Sequence, residues 1–406
     1  MHNVVDLNLT SKLNKRQFVV YALLFVGFFF PISSQGALLS SRYFMIAFLT
    51  LVAYSFFIKI TPRNLIFFLA INVSLIIFTI AASFWFKEYS FGIYPDFFLL
   101  SLLLTLNYTN LGRLKYIYDV QLIGTWLIIL LGVGIIIGNP SISHFLTNYY
   151  SAGYEELLPY MLEARKPVAT FGTHSVASFI LFFLFFLNIQ TYKVRGKMVY
   201  LITSIIVLLL LIFVRSNTSL AYSGVAFIIL FSTFIKKKSS LFMVSGIVIA
   251  IFLYVSVIDP TILDVFYEYD VLSILTSKDN GLAGRYSGTS VLAPTIDYIK
   301  HNPLVPLGLA YSNKLYYTDS GIILYILRGS IILASAIYFG FYSFLKDNLL
   351  NKKNTMYVFF FFMIFEIGYP ILIDPRVLCF IPFLVVYLNH LSTEENVKSQ
   401  RLYPGS

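Results

Sequence analysis

The sequence has few charged residues, a single cysteine and a high share of apolar residues. Only 12% of its 406 residues are Asp, Glu, Lys or Arg, whereas 58% are hydrophobic. Soluble domains carry about 25% charged residues. A soluble fold has too little interior to bury so much apolar surface, which excludes a soluble globular protein. The one cysteine, Cys379, lies in an apolar run, so disulfides and thiolate metal sites are excluded as well.

The sequence also lacks the common motifs of nucleotide, metal and hydrolase chemistry. There is no Walker A sequence, no HExxH pair, no GxSxG elbow and no DxD motif, and the five histidines are scattered. We therefore expect no ATP site, no metal and no cofactor. The net charge of +10 would suggest a nucleic-acid partner in a soluble protein. In a membrane protein it is typical of a basic cytoplasmic face, so no nucleic-acid partner is predicted.

Apolar runs of about 17 to 25 residues recur along the chain, and each is long enough to cross a hydrocarbon core of roughly 30 Å. They predict an all-α polytopic integral membrane protein in which residues 1–406 form a single transmembrane domain. The first run has no convincing cleavage site after it and is interpreted as an uncleaved helix. About twelve spans are predicted, with eleven as the alternative, at 17–34, 43–60, 64–86, 91–108, 117–138, 173–192, 198–214, 218–235, 241–258, 319–344, 356–373 and 376–390.

The distribution of Lys and Arg orients these spans. With the N-terminus in the cytoplasm, every cytoplasmic loop carries at least two basic residues, whereas the short loops on the other side carry few. Both termini are therefore predicted to be cytoplasmic. Two outward segments, 139–172 and 259–318, are much longer than ordinary connections, and long loops often carry function. Their many tyrosines suit the membrane interface or stacking on sugar rings.

Basic residues next to the membrane in these outward segments are candidates for binding phosphate. Arg165 and Lys166 close the first long segment, Arg285 lies in the second, and Arg215 follows the seventh predicted span. The planar guanidinium group matches phosphate oxygens with two hydrogen bonds and stabilises charge that develops on a leaving diphosphate. The alternative is that each arginine pairs with a loop carboxylate or reaches lipid headgroups.

Four further ionisable residues allow two interpretations each. His174 begins the sixth span and is either a proton acceptor or a histidine bonded to backbone at a helix start. Asp319 begins the tenth span and is either a helix cap or a general base. Arg328 and Glu366 lie within predicted spans, where charges are costly and usually paired. We expect a structural Arg328–Glu366 pair, with a proton relay or substrate contact as the alternative.

In layout and in several short motifs, the chain resembles the Wzy polysaccharide polymerases and the related O-antigen ligases, which are polytopic proteins with two enlarged periplasmic loops. The resemblance covers about residues 117 to 375 and rests on the order of the motifs rather than on any one of them. The residues that carry it are Arg165-Lys-Pro-x3-Phe-Gly-x-His-Ser175, Arg215-Ser-Asn-Thr-Ser219, Gly284-Arg285, Tyr298-Ile-x2-Asn302-Pro303-x4-Gly308, and Asp319-Ser-Gly321 followed by Gly329.

The resemblance implies a membrane-embedded GT-C-like fold in the bacterial inner membrane. It also implies polymerisation, on the periplasmic side, of O-antigen or capsule repeat units carried on undecaprenyl diphosphate, without metal or nucleotide. Arg165 and Arg285 would bind the diphosphate. The ligases tend to have a histidine near the position where this chain has Asp319, so the aspartate favours a polymerase over a ligase.

The same resemblance implies membrane lipids and a chain-length regulator protein as partners. The alternatives are an O-antigen ligase that transfers the glycan to lipid A core, and a flippase or transporter of lipid-linked oligosaccharides. No internal repeat is visible in the sequence, which argues against a transporter.

Overall fold

A computed structural model describes residues 15–30, 59–109, 114, 116–150, 157–234, 292–303, 305–312, 315 and 320–402. These residues form thirteen α-helices and one two-stranded antiparallel sheet. The strands are β1 (Lys59–Ile60) and β2 (Leu106–Asn107). The helices are α1 (Lys15–Phe29), α2 (Leu65–Ala82), α3 (Tyr94–Thr105), α4 (Ile117–Ile136), α5 (Pro140–Tyr150), α6 (Leu157–Glu163), α7 (His174–Arg195), α8 (Met198–Phe213), α9 (Asn217–Phe234), α10 (Ala293–His301), α11 (Gly321–Asn348), α12 (Lys352–Gly368) and α13 (Pro375–Leu402).

Six of these helices are long and apolar enough to cross a membrane, and three shorter ones are also apolar. The six are α2 with the 3₁₀ turn before it, α4, α7, α9, α11 and α13. The shorter apolar helices are α1, α3 and α8. A backbone in lipid must satisfy its own polar groups, which a helix does within one segment. The chain is therefore a multi-pass, all-α membrane protein.

Most predicted spans correspond to a helix, but several differ from it in their bounds or continuity. The last predicted span, 376–390, is too short, because α13 continues to Leu402. The polar C-terminal part of α13 is also helical, and Glu394 in this part forms an ion pair with Arg195 at 3.2 Å. The predicted span 319–344 is one helix by hydropathy, yet α11 is broken at Gly329 and Ser330, which have non-helical backbone angles.

Two other predicted spans fall outside the described part of the chain. The span 241–258 lies entirely outside it, and so does 43–60 except for its last two residues, which form β1. The number of spans stays a prediction. The first long outward segment, 139–172, contains the helices α5 and α6. Only parts of the second, 259–318, are described.

The helices differ strongly in how much of their surface is buried. In α7, 89% of the most apolar stretch is buried inside the protein, and in α13 78% is buried, so these two helices lie at the centre. In α2 only 28% is buried, and Ile66, Ile77 and Ile80 remain largely exposed. A helix that is apolar on all sides and exposed on one suits a lipid environment. Thus α2 lies at the periphery.

Phenylalanine side chains fill the contact between α7, α12 and α13. The Phe179 ring packs edge-on against the rings of Phe362 and Phe365, at centroid distances of 4.8 and 4.9 Å. Tyr222 of α9 stacks on Phe365 at 3.7 Å and donates its hydroxyl proton to the Phe361 carbonyl. Such aromatic pairs stabilise packing beyond the area that they bury. The centre of the bundle is therefore held by rings.

The bundle has two ends that can be told apart by their polar contacts. At one end, called the site end, α1 and α8 finish while α7, α9 and α13 begin. The C-terminal carbonyls of α1 there accept hydrogen bonds from Tyr150, Thr170 and Arg376. At the opposite end, Arg63 pairs with Asp347 at 2.6 Å and Arg195 pairs with Glu394. Of the predicted site residues, Arg165, Lys166, His174 and Arg215 lie at the site end.

Candidate functional site

The turn that closes the first long segment presents two of the predicted basic residues. At the end of α6, the Lys166 amide donates to the Met161 carbonyl at 2.9 Å and the Arg165 amide donates to the Leu162 carbonyl at 3.0 Å. These two bonds form a Schellman cap, whose first residue after the helix is left-handed and is usually glycine. Here that residue is Arg165, with φ of 52°.

Arg215 occupies a similar position at the end of α8. Its amide donates to the Ile212 carbonyl at 3.1 Å, and its φ is 53°. Two other helices are followed by glycine in this conformation, since Gly138 follows α4 with φ of 71° and Gly196 follows α7 with φ of 72°. A left-handed backbone costs an ordinary L-residue about 1–2 kcal/mol. Such outliers persist where the surrounding structure holds them, often at functional sites.

The cations of these two turns lie near one another. Burial, and then the positive charge of Arg215, lower the pKa of Lys166 below its usual range. The Lys166 ammonium also lies over the Tyr160 ring, 5.8 Å from its centroid, and the Arg215 guanidinium lies 6.0 Å from that of Phe213. Lys166 and Arg215 are therefore close enough for their positive charges to interact.

Arg165 lies on the outer side of this turn and is exposed. Its guanidinium group packs against Gly138, where an added Cβ would lie 3.5 Å from Nε. Glycine at this position therefore serves both the left-handed end of α4 and the close approach of the arginine. Arg165 adjoins Lys166 in the chain, and we call Arg165, Lys166 and Arg215 the basic cluster.

Two helix N-termini face the same end of the bundle as the basic cluster. Thr173 caps α7 by accepting a hydrogen bond from the Val176 amide, and His174 is the first residue of this helix. Ser216 caps α9, and its hydroxyl accepts from the Ser219 amide while the Ser219 hydroxyl accepts from the Ser216 amide. Helix N-termini carry partial positive charge and bind anions.

A polar contact connects the first turns of these two helices. The Ser178 hydroxyl donates to the His174 carbonyl at 2.6 Å and lies 3.4 Å from the Ser216 hydroxyl. His174 is the first residue of α7 and Arg215 lies just before α9, so this contact connects the two segments that carry them. The sequence analysis missed the role of Ser178, Ser216 and Thr173. The capping spacing in Thr173-x-x-Val176 and Ser216-x-x-Ser219 is the signal that finds two of them.

Two of the predicted site residues, Arg285 and Asp319, lie outside the described residues. The residues just after Asp319 are described: Ser320 caps α11 by accepting from the Ile323 amide, and Gly321 is the first residue of that helix. The capping function considered for Asp319 is thus performed by Ser320.

Arg328 and Glu366 have partners other than each other. The Glu366 carboxylate accepts from the Leu372 amide at 2.7 Å and from the Tyr325 hydroxyl at 3.2 Å. Arg328 donates to the carbonyls of Gly308 and Ala310. The predicted direct pair is not among the ion pairs of the described residues.

The reason lies in where α12 ends. A direct pair requires Arg328 and Glu366 to lie at a similar depth within the predicted spans 319–344 and 356–373. Helix α12 finishes at Gly368, so Glu366 lies in its last turn, beside the start of the antiparallel α11. A Cβ added at Gly321 would lie 1.7 Å from Glu366 Oε2. The carboxylate therefore lies at the N-terminus of α11, about two helical turns from Arg328.

Within the described ranges, no group of three His, Cys, Asp or Glu residues is placed to hold a metal ion. Comparisons of the chain with protein-family models, with curated proteins and with solved structures gave no match. Any functional assignment therefore rests on the resemblance in sequence layout and on the geometry of the site.

Proposed function

We propose that the protein is a metal-independent glycosyltransferase that polymerises oligosaccharide repeat units carried on undecaprenyl diphosphate. The reaction takes place on the periplasmic side of the bacterial inner membrane, in O-antigen or capsule synthesis. The observation that supports it most directly is the basic cluster, in which two arginines occupy left-handed helix ends beside two helix N-termini. Glycine would fill those backbone positions at lower cost, so stability alone does not account for arginine there.

In this reaction a hydroxyl group of one lipid-linked unit attacks the anomeric carbon of the chain on another lipid. A new carbon–oxygen bond forms while the bond from the anomeric carbon to the diphosphate oxygen breaks. The hydroxyl proton passes to a base, for which Asp319 and His174 are the candidates. Undecaprenyl diphosphate leaves with the bonding electron pair.

The basic cluster would act on the leaving group. Arg165, Lys166 and Arg215 offer charged donors to the diphosphate oxygens, and the N-termini of α7 and α9 add partial positive charge. Donors that are already in place before the reaction stabilise developing charge without reorganisation. Arg285 is proposed as a further diphosphate ligand from the second long segment. A GT-C-like fold and a chain-length regulator partner belong to the same proposal.

Glycine substitutions separate the backbone of the cluster from its charge. Arg165→Gly and Arg215→Gly each keep the left-handed turn and remove the guanidinium group. We expect each to reduce long-chain surface polysaccharide at least tenfold when it replaces the wild-type gene, with protein level unchanged. Ala169→Gly is the matched control, because Ala169 has φ of 48° in the same turn and carries no charge. It should leave chain length unchanged.

The readout is a gel of surface polysaccharide together with the amount of protein in the membrane. Long chains at wild-type abundance in both arginine variants would refute the phosphate-binding assignment.

A strain in which the gene is deleted distinguishes the polymerase from the alternative functions. Lipid A core capped by a single unit indicates a polymerase, and uncapped core indicates a ligase. Lipid-linked single units that accumulate in the inner leaflet indicate a flippase.

A further inference from the structure

Helix α11 is interrupted inside the bundle. Gly329 has φ of −153° and ψ of 27°, and Ser330 has φ of 59° and ψ of −169°, so neither is helical. The break allows two carbonyls to accept from another segment, and the amides of Leu307 and Gly308 donate to the carbonyls of Leu327 and Arg328 at 2.8 and 2.9 Å. Residues 305–311, called the strap, thus supply the hydrogen-bond donors for these two carbonyls of the broken helix.

Arg328 holds the strap from the helix side. Its side chain is fully buried, and Nη1 donates to the carbonyls of Gly308 at 3.1 Å and Ala310 at 2.6 Å. Hydrogen bonds therefore run in both directions between strap and helix. A buried charge is costly unless it is hydrogen-bonded. The cost of Arg328 is offset by carbonyl oxygens that the strap supplies.

The other side of the strap is held by α2 and the residues after it. The Leu309 amide donates to the Thr79 hydroxyl at 2.9 Å, and the Tyr311 amide donates to the Glu88 carbonyl at 2.8 Å. Gly308 has φ of 55°, and a Cβ there would lie 2.2 Å from the Thr79 backbone nitrogen. The strap therefore fits between α2 and α11 only with glycine at this position.

A small apolar cluster completes the attachment. Leu307, Ala310 and Leu315 pack with Ala82 of α2 and Leu327 of α11, apart from the main core of the bundle. The half-helix Gly321–Arg328 is fixed at its other end too, because Glu366 lies against Gly321 and bonds to Tyr325. The first two turns of α11 are thus clamped at both ends.

We infer that Arg328 is a positioning residue for the proposed transferase reaction. It anchors the strap, which lies in the sequence between Arg285 and Asp319, to the half-helix that begins two residues after Asp319. Arg328 contacts strap carbonyls, and its effect on the reaction passes through the chain on either side of the break. This inference rests on the proposed function, and its test includes a readout that does not.

The first readout is hydrogen exchange of the full-length protein in lipid nanodiscs. In Arg328→Met, we expect peptides spanning 305–311 to exchange at least tenfold faster, while peptides of α7 keep their wild-type rates. Thr79→Val removes the anchor on the α2 side and should have a smaller effect in the same direction. Ser330→Gly is the control, because it keeps the break and both sets of hydrogen bonds, and it should exchange as wild type does.

The second readout is steady-state polymerisation of lipid-linked repeat units by the same proteins. We expect Arg328→Met to lower kcat at least tenfold and to change KM less than twofold, since the basic cluster is intact. Arg328→Lys should restore part of kcat, because it supplies one charged donor to the strap. Unchanged exchange over 305–311, or faster exchange with normal kcat, would overturn the inference.

The two proposals fail in different ways. If the wild-type protein polymerises no repeat units, the proposed function is wrong, while exchange over 305–311 still decides whether Arg328 anchors the strap. If Arg328→Met does not accumulate in the membrane, Thr79→Val and Arg328→Lys decide the question instead. Wild-type exchange and wild-type kcat in both of these variants would refute the positioning role.

Discussion

Lys166 differs from the two arginines of the basic cluster in that its charge responds to its surroundings. Burial and the neighbouring Arg215 both disfavour the ammonium form, which lowers the pKa of Lys166. An arginine in the same position would stay protonated at any physiological pH. The cluster therefore combines fixed charge with one titrating group, and under the proposed function its affinity for a diphosphate depends on pH.

This dependence has a definite sign. Lys166 with a lowered pKa loses its charge at a lower pH than an exposed lysine, so its contribution to binding a diphosphate falls as the pH rises through that lowered pKa. We expect kcat/KM of wild type, which reports the free enzyme, to decline on the alkaline side. Lys166→Arg should move this decline to higher pH. The profile of kcat/KM for a lipid-linked repeat unit, measured for both proteins, checks it.

The control is Lys197→Arg. Lys197 is an exposed lysine beyond the far end of α7, and this substitution should leave the pH profile of kcat/KM unchanged. An identical alkaline limb in wild type and Lys166→Arg would show that another group is responsible.

At the level of elements, hydropathy predicts where most helices lie but not how they end or break. The broken helix α11 is apolar on both sides of Gly329, and nothing local marks Ser330 as left-handed. The break is stabilised by the strap, which comes from about twenty residues earlier, so it depends on tertiary contacts. The expected Arg328–Glu366 pair is absent from the described ion pairs for a related reason, since the span predicted from hydropathy ran past the end of α12.

The candidate site was partly predictable because charge near a membrane is scarce. The grouping of Lys166 with Arg215 follows from their both lying beside predicted spans on one side of the membrane. The left-handed backbone at Arg165 and Arg215 was not predictable, because glycine is the residue that signals that conformation. Ser216 could have been found from its capping spacing, whereas Ser178 lies inside a helix, where serine gives no distinctive pattern.

The C-terminus of α1 illustrates how one element is attached by its last carbonyls. The Tyr150 hydroxyl donates to the Phe29 carbonyl at 2.6 Å, the Thr170 hydroxyl donates to the Phe28 carbonyl, and Arg376 donates to the Gly27 carbonyl at 3.0 Å. The last four carbonyls of a helix have no partner within it. Three separate parts of the chain therefore converge on α1 and hold it against α13.

Removing these donors should loosen α1 without changing the basic cluster. We expect Tyr150→Phe and Thr170→Val each to lower the free energy of unfolding by about 1 kcal/mol, the usual contribution of such a bond. The matched control is Tyr149→Phe, because Tyr149 is the neighbouring residue and half exposed. Thermal unfolding of the detergent-solubilised proteins measures the difference, and equal midpoints for the Tyr149 and Tyr150 variants would contradict the capping role.

Over the whole molecule, the two ends of the bundle differ in their polar contacts. The opposite end holds basic residues such as Arg63 and Arg195, each paired with a carboxylate, while the site end holds the basic cluster. Helix α1 ends at the site end and α2 begins at the opposite end, next to Arg63. This alternation is expected of any multi-pass protein, and the orientation in which the site end faces the periplasm and both termini face the cytoplasm stays a prediction.

The predicted orientation can be tested by labelling, because the only cysteine, Cys379, is fully buried. We expect an impermeant maleimide to label Tyr160→Cys in sealed spheroplasts, since Tyr160 is exposed at the site end. Lys197→Cys, exposed beyond the far end of α7, should be labelled only after the membrane is permeabilised, and wild type should remain unlabelled. The reverse pattern would put the basic cluster in the cytoplasm. The basic cluster could then not contact a lipid-linked glycan in the outer leaflet, and both the predicted topology and the polymerase proposal would be wrong.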